Sequence, residues 1–169
     1  GPHSSGSPGY SIWLAMLKRC YKESKDGSNK TYLSKGVTVC NDWLNFQIFS
    51  EWFNCYVEEY NLNTPLVGFD LDKDITGSGL LYSPQYCNLV PEKVNNFYKD
   101  VSNARGWKSG VNRGKPFTCS SKGKWISDHR TVEECVAKYG ELKLKDLDRL
   151  KQEFPTVKSQ IWENIEYKI

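Results

Sequence analysis

Residues 68–98, GFDLDKDITGSGLLYSPQYCNLVPEKVNNFY, constrain the chain more than any other stretch. Alternation over Val67 to Asp72 predicts a strand, with Val67, Phe69 and Leu71 on one face and Asp70 and Asp72 on the other. Thr76-Gly77-Ser78-Gly79 is turn chemistry, because glycine accepts the positive φ of a tight reversal. A second apolar run, Leu80 to Val90, follows, and Pro84 confines part of it to an edge or a bulge. Pro91 suits the first turn of a helix, where a missing N–H is harmless, and Val94, Phe97 and Tyr98 give that helix an apolar face. The expected unit is therefore strand, strand, helix, with acid on the first strand and amide on the helix.

The rest of the chain supplies a core for such a unit. Of 169 residues, 38% are hydrophobic and 14% aromatic, enough to exclude global disorder. Tyr10 to Tyr21 has helical spacing, and Thr31 to Cys40 holds a β-branched run, Val37-Thr38-Val39, that fits a short strand. Asn41 or Asp42 can cap a helix reaching about Tyr60, whose rings (Trp43, Phe46, Phe49, Trp52, Phe53, Tyr56, Tyr60) read as a core face rather than a stacking platform. Gly1-Pro2 and His3 to Gly6 look like a cleavage scar and linker, so residues 1–9 are left out of the expected fold.

Beyond Tyr98 the chain turns basic. Between Lys99 and Arg130 eight basic residues face only Asp100 and Asp128, although the net charge of the whole is +3. A local excess of this kind fits a polyanion, or else a solvated lysine-rich loop. Phe117–Cys119 and Lys124–Ser127 suggest a hairpin. Thr131 to Glu134 is a capping box opening a helix that Gly140 ends, and a further helix, Leu142 to Phe154, stops before Pro155. Val157 to Ile169 is a terminal helix or arm. No apolar run approaches the roughly 20 residues that span a bilayer. Six cysteines occur singly with no CxxC pair, so free thiols in a reducing cytosol are expected and structural zinc is not. A site gathered from Cys20, Cys40 and Cys87 is the lesser alternative.

The strand–strand–helix unit resembles the His-Me finger of HNH endonucleases, including the HNH domain of RNA-guided nucleases. As a set, Arg19-Cys20-Tyr21, Val39 to Trp43, Leu71 to Ile75 (LDKDI), Tyr82 to Pro91 (YSPxxCxxVP) and Asn95 resemble a phage-encoded HNH-like, homing-endonuclease-type family over residues 10–100. The resemblance implies an α+β fold with a ββα-metal core wrapped by N-terminal helices, followed over 101–169 by a basic module similar to a worn AP2-like sheet and helix. It implies Asp72 and Asn95 (or Asn96) as ligands of Mg²⁺ or Mn²⁺, with Asp70 as the spare, and double-stranded DNA as partner in a host cytoplasm. It places Lys73 where the family carries its histidine base. Lys73 would act as base only if its pKa fell from about 10.4 toward neutrality, and the acids around it oppose that; charged, it would stabilise a phosphorane or hold a phosphate.

Two functions follow from this reading. One is metal-dependent nicking or cleavage of DNA. The other is an inactive fold of the same lineage that binds nucleic acid or inhibits a host protein. Arg105, Lys108, Arg113, Lys115, Lys122 and Lys124 are the expected phosphate contacts; Trp107 and Trp125, interleaved with the basic residues, read as packing a small sheet, with stacking on bases or sugars as the alternative. No membrane role is expected, and His129 reads as structural.

Overall fold

The computed structural model of the chain describes residues 7–23, 29–62, 68–103, 107–109, 114–115, 117–121 and 124–169. It is an α+β protein of two compact units, residues 1–95 with 156–161 and residues 96–155 with 162–169.

The first unit opens on α1 (Pro8–Tyr21), two residues earlier than the expected start. Pro8 sits in the first turn and Gly9 is buried, where a Cβ would meet the Phe53 ring at 3.1 Å. Residues 8 and 9 thus belong to the fold, a correction to their exclusion as linker. Next come α2 (Lys30–Ser34) and β1 (Thr38–Val39). The expected helix to Tyr60 has two parts, a 3-10 helix (Asn41–Leu44) and α3 (Phe46–Glu59). Its cap is neither Asn41 nor Asp42: Asn45 accepts the Gln47 N–H at 2.8 Å. The aromatic stripe is core. Trp43 and Phe49 are fully buried, Phe53 and Tyr56 nearly so, and Trp43–Phe49 and Trp43–Trp52 ring centroids lie 5.0 and 4.6 Å apart. The Trp13 indole N–H donates to the Trp43 carbonyl at 2.7 Å, joining α1 to this cluster.

The run from Leu80 to Val90 forms two strands with different partners. β3 (Leu81–Tyr82) pairs in parallel with β1, while β4 (Asn88–Pro91) pairs antiparallel with β2 (Phe69–Asp72) in the register Phe69↔Pro91 to Asp72↔Asn88. Pro91 is therefore the last strand residue, not the first of the helix, and α4 (Glu92–Asn103) follows it directly. Phe69 and Leu71 pack into the core, as their alternation predicts; Val67 lies outside the described residues. The glycine turn between β2 and β3 depends on its glycines. A Cβ at Gly77 would fall 2.5 Å from the Lys73 carbonyl, and Gly79 has φ +77°.

In the second unit β5 (Trp107–Ser109), β6 (Phe117–Ser121) and β7 (Lys124–His129) form an antiparallel sheet in sequence order, one strand more than the expected hairpin. Phe117, Cys119 and Ile126 pack with Cys135, Tyr139 and Leu142 of α5 (Val132–Glu153). Half of the capping box forms: Thr131 Oγ1 accepts the Glu134 N–H at 3.2 Å, while the Glu134 carboxylate accepts at 3.1 Å the N–H of Arg130, one residue before the cap. Gly140 does not end this helix. α5 runs 22 residues through it, because Cys135, Tyr139, Lys143 and Leu147 make one buried stripe that spans the glycine. Lys143 is fully buried, paired with Asp100 of α4, its ammonium 5.5 Å from the Phe97 ring and 5.0 Å from that of Tyr139. α6 (Ser159–Glu166) closes the chain.

Candidate functional site

The acidic stretch and the helix-borne amide meet in the first unit. Pleating puts Asp70 and Asp72 on the β2 face opposite the core residues Phe69 and Leu71. Because β4 runs straight into α4, Asn95 arrives beside β2: its Nδ2 donates to Asp70 Oδ2 at 2.7 Å. A carboxylate only accepts, so this contact orients the amide, and Asn95 Oδ1 is left buried without a hydrogen-bond partner among the described residues. An orphaned buried oxygen costs free energy and calls for a reason.

Asp72 has a different set of contacts. It is 3% exposed, and its Oδ2 accepts the backbone N–H groups of Asp74 at 3.1 Å and Ile75 at 2.8 Å, closing the turn after β2. Burial raises its pKa to about 6; the two N–H groups and Lys73 resist the rise, and the Asp74 charge adds to it. Asn95 thus reaches Asp70, while Asp72 holds the turn.

Lys73 is as buried as Asp72. Its ammonium lies 2.8 Å from Asp74 Oδ1 and 5.2 and 5.3 Å from the Tyr32 and Tyr82 rings. This is an enclosed cation with its charge answered on the spot. Beyond that pair it also favours the ionised form of Asp72, as the smallest of the influences on that carboxyl. Asn88, also buried, links the strand to the glycine loop: its Nδ2 donates to Thr76 Oγ1 at 2.7 Å, and the Tyr56 hydroxyl donates to its Oδ1 at 3.3 Å. Sequence reasoning passed over Asn88, and only its place opposite Asp72 in the β2–β4 register draws attention to it.

Two carboxylates and an unpaired amide oxygen are hard donors suited to Mg²⁺ or Mn²⁺, ions that take one or two carboxylates and fill the rest of their shell with water and substrate. Asp70 and Asn95 fit that demand. Among the described residues no three His, Cys, Asp or Glu side chains gather as a metal cluster, and the six cysteines are free thiols.

Of the expected phosphate contacts, Arg105, Arg113 and Lys122 lie outside the described residues. Lys108 lies in β5 opposite Thr118, and Lys115 and Lys124 are exposed. Trp125 is 65% exposed, its indole N–H donating to Asp128 Oδ1 at 3.0 Å, the same oxygen that accepts the Thr118 hydroxyl at 2.8 Å. His129 pairs with Ser127 at 2.7 Å within β7. No family model, curated protein or solved structure matches the chain.

Proposed function

We propose that this is a DNA-binding protein of HNH endonuclease type, whose first unit is a ββα-metal module cutting phosphodiesters and whose second unit is an AP2-like module gripping the duplex. One observation carries the reading: the Asp70–Asn95 pair at the junction of the β2–β4 ladder and α4, with Asn95 Oδ1 buried and unpartnered. Mg²⁺ or Mn²⁺ bound there would supply charge to offset the developing negative charge on the reacting phosphate. The chain's own residues do the rest. Asp70 and Asn95 offer the oxygens, with Asp72 two positions along the same face. The Asp72 turn fixes the loop that follows, and Lys73 adds a small bias toward ionised Asp72 from the interior. An enclosed Lys73 paired with Asp74 works by charge rather than by taking a proton from water.

The same enclosure favours a second reading, a module that binds DNA without cutting it. The two separate on one experiment. Nicking of supercoiled plasmid in Mg²⁺ or Mn²⁺ is expected from the native chain and is expected to fall at least a hundredfold in Asp70→Asn and Asn95→Ala. DNA binding with no nicking would sink the nuclease reading and leave the binding one.

A further inference from the structure

A cavity of about 170 Å³ opens between α1 and β2, next to Asp70. From α1 it is lined by Ser11, Ile12, Ala15 and Arg19, and from β2 by Phe69, Asp70 and Leu71. Ser11, Ala15 and Arg19 recur every four residues, so one face of α1 supplies that wall. Arg19 belongs to the Arg19-Cys20-Tyr21 motif, for which neither the metal site nor the basic module has a use.

Arg19 is half-buried and anchored from the interior. The hydroxyl of Tyr82, itself 1% exposed, and the Asp70 carboxylate both favour its charged form against the cost of burial. A guanidinium carries five N–H donors in a rigid fork, more than one tyrosine oxygen can use, and that fork matches two oxygens of a phosphate. Ser11 is exposed at the same cavity and adds a hydroxyl donor. Ile12, Ala15 and Leu71 contribute apolar wall, which lowers the local dielectric and strengthens a charge-assisted hydrogen bond. Asp70 is the dissenting member, because a carboxylate in the same cavity repels an anion until its charge is offset.

We propose that this cavity seats a phosphate of the nucleic-acid backbone, with Arg19 as its clamp, Ser11 as a second donor and Asp70 as the gate that makes binding depend on a divalent cation. The assignment rests on the nuclease reading for the identity of the anion, and it adds a positioning residue, Arg19, outside the strand–strand–helix unit. Cation and phosphate then strengthen one another, reciprocally and by the same factor.

The test is titration of the full chain with inorganic phosphate, with and without Mg²⁺. Native protein is expected to bind phosphate at least tenfold more tightly when Mg²⁺ is present. In Asp70→Asn the gate is gone, so phosphate binds without Mg²⁺ and Mg²⁺ adds nothing. Arg19→Lys placed in the Asp70→Asn background is expected to lose at least tenfold. Ser11→Ala, at an exposed position, is expected to lose a few-fold and guards against a folding defect in the arginine variant. A short DNA duplex in Ca²⁺ is expected to displace the phosphate. Phosphate binding that ignores Arg19→Lys and Ser11→Ala overturns the clamp, even if plasmid is nicked. A duplex that leaves bound phosphate untouched overturns the backbone assignment. Absence of nicking alongside Arg19-dependent phosphate binding removes the nuclease reading and leaves the clamp standing.

Discussion

Asp72 is the residue at which stability and proposed chemistry pull apart. Its carboxyl titrates near 6 in the folded chain, against 3.8 unfolded, chiefly because it is buried. The folded state therefore holds this proton more tightly than the unfolded one. The contribution to stability is fully present below about pH 4 and is lost as pH rises through about 6. At neutral pH the ionised group costs up to about 3 kcal/mol. Asp72→Asn in chelator is expected to flatten urea midpoints between pH 4 and 7 and to raise stability at pH 7 by about 1–2 kcal/mol, less than the full cost because the amide nitrogen needs its own partner. An unchanged pH slope in that variant would show that another group titrates there. The acidic run was conspicuous in the sequence, and so was Asn95. Which acid the amide reaches was not, since Asp70 and Asp72 share a face and only the start of α4 directly after Pro91 selects Asp70. The enclosure of Lys73 was equally hidden, being built by Tyr32, Tyr82 and Asp74 from three separate segments.

Local signals and packing compete openly in the helices. The Thr131 side-chain cap on Glu134 is a contact within four residues, and the helix start it signals forms as read. Gly140 also looked like a stop signal, but α5 passes through it because ending there would expose half of the stripe from Cys135 to Leu147. A mid-helix glycine costs about 1 kcal/mol relative to alanine, less than the burial it would forfeit by stopping. A Cβ at Gly140 would meet Ile169 at 3.9 Å, ordinary van der Waals contact. Gly140→Ala is accordingly expected to stabilise the protein by about 0.5–1 kcal/mol in urea unfolding. Destabilisation would mean that the helix needs the glycine for a reason other than space. Pro91 shows the reverse case. Its fixed φ suits a helix start, but the ladder with Phe69 claims it as the last strand residue.

At the scale of the whole molecule, positive charge is concentrated between Lys99 and Arg130. If the second unit grips DNA as proposed, the affinity is expected to fall steeply with salt, by roughly 10²–10³ between 50 and 200 mM for four to six neutralised phosphates. Lys115→Gln with Lys124→Gln, both at exposed positions, is expected to reduce the slope of log affinity against log salt by about 2. A flat salt response would remove the DNA partner altogether. The sequence by itself determined the class of fold, the aromatic core of the first unit, the start of α5 and the concentration of positive charge, because each depends on periodicity or on contacts within a few residues. Tertiary structure alone decided that Leu80–Val90 serves two different strands as partners, that Asn95 pairs with Asp70, that Lys73 is enclosed, and that Arg19 lines a cavity with an acid some fifty residues away. Those outcomes are meetings of distant segments, fixed by competition for a shared interior, and no local pattern carries that information.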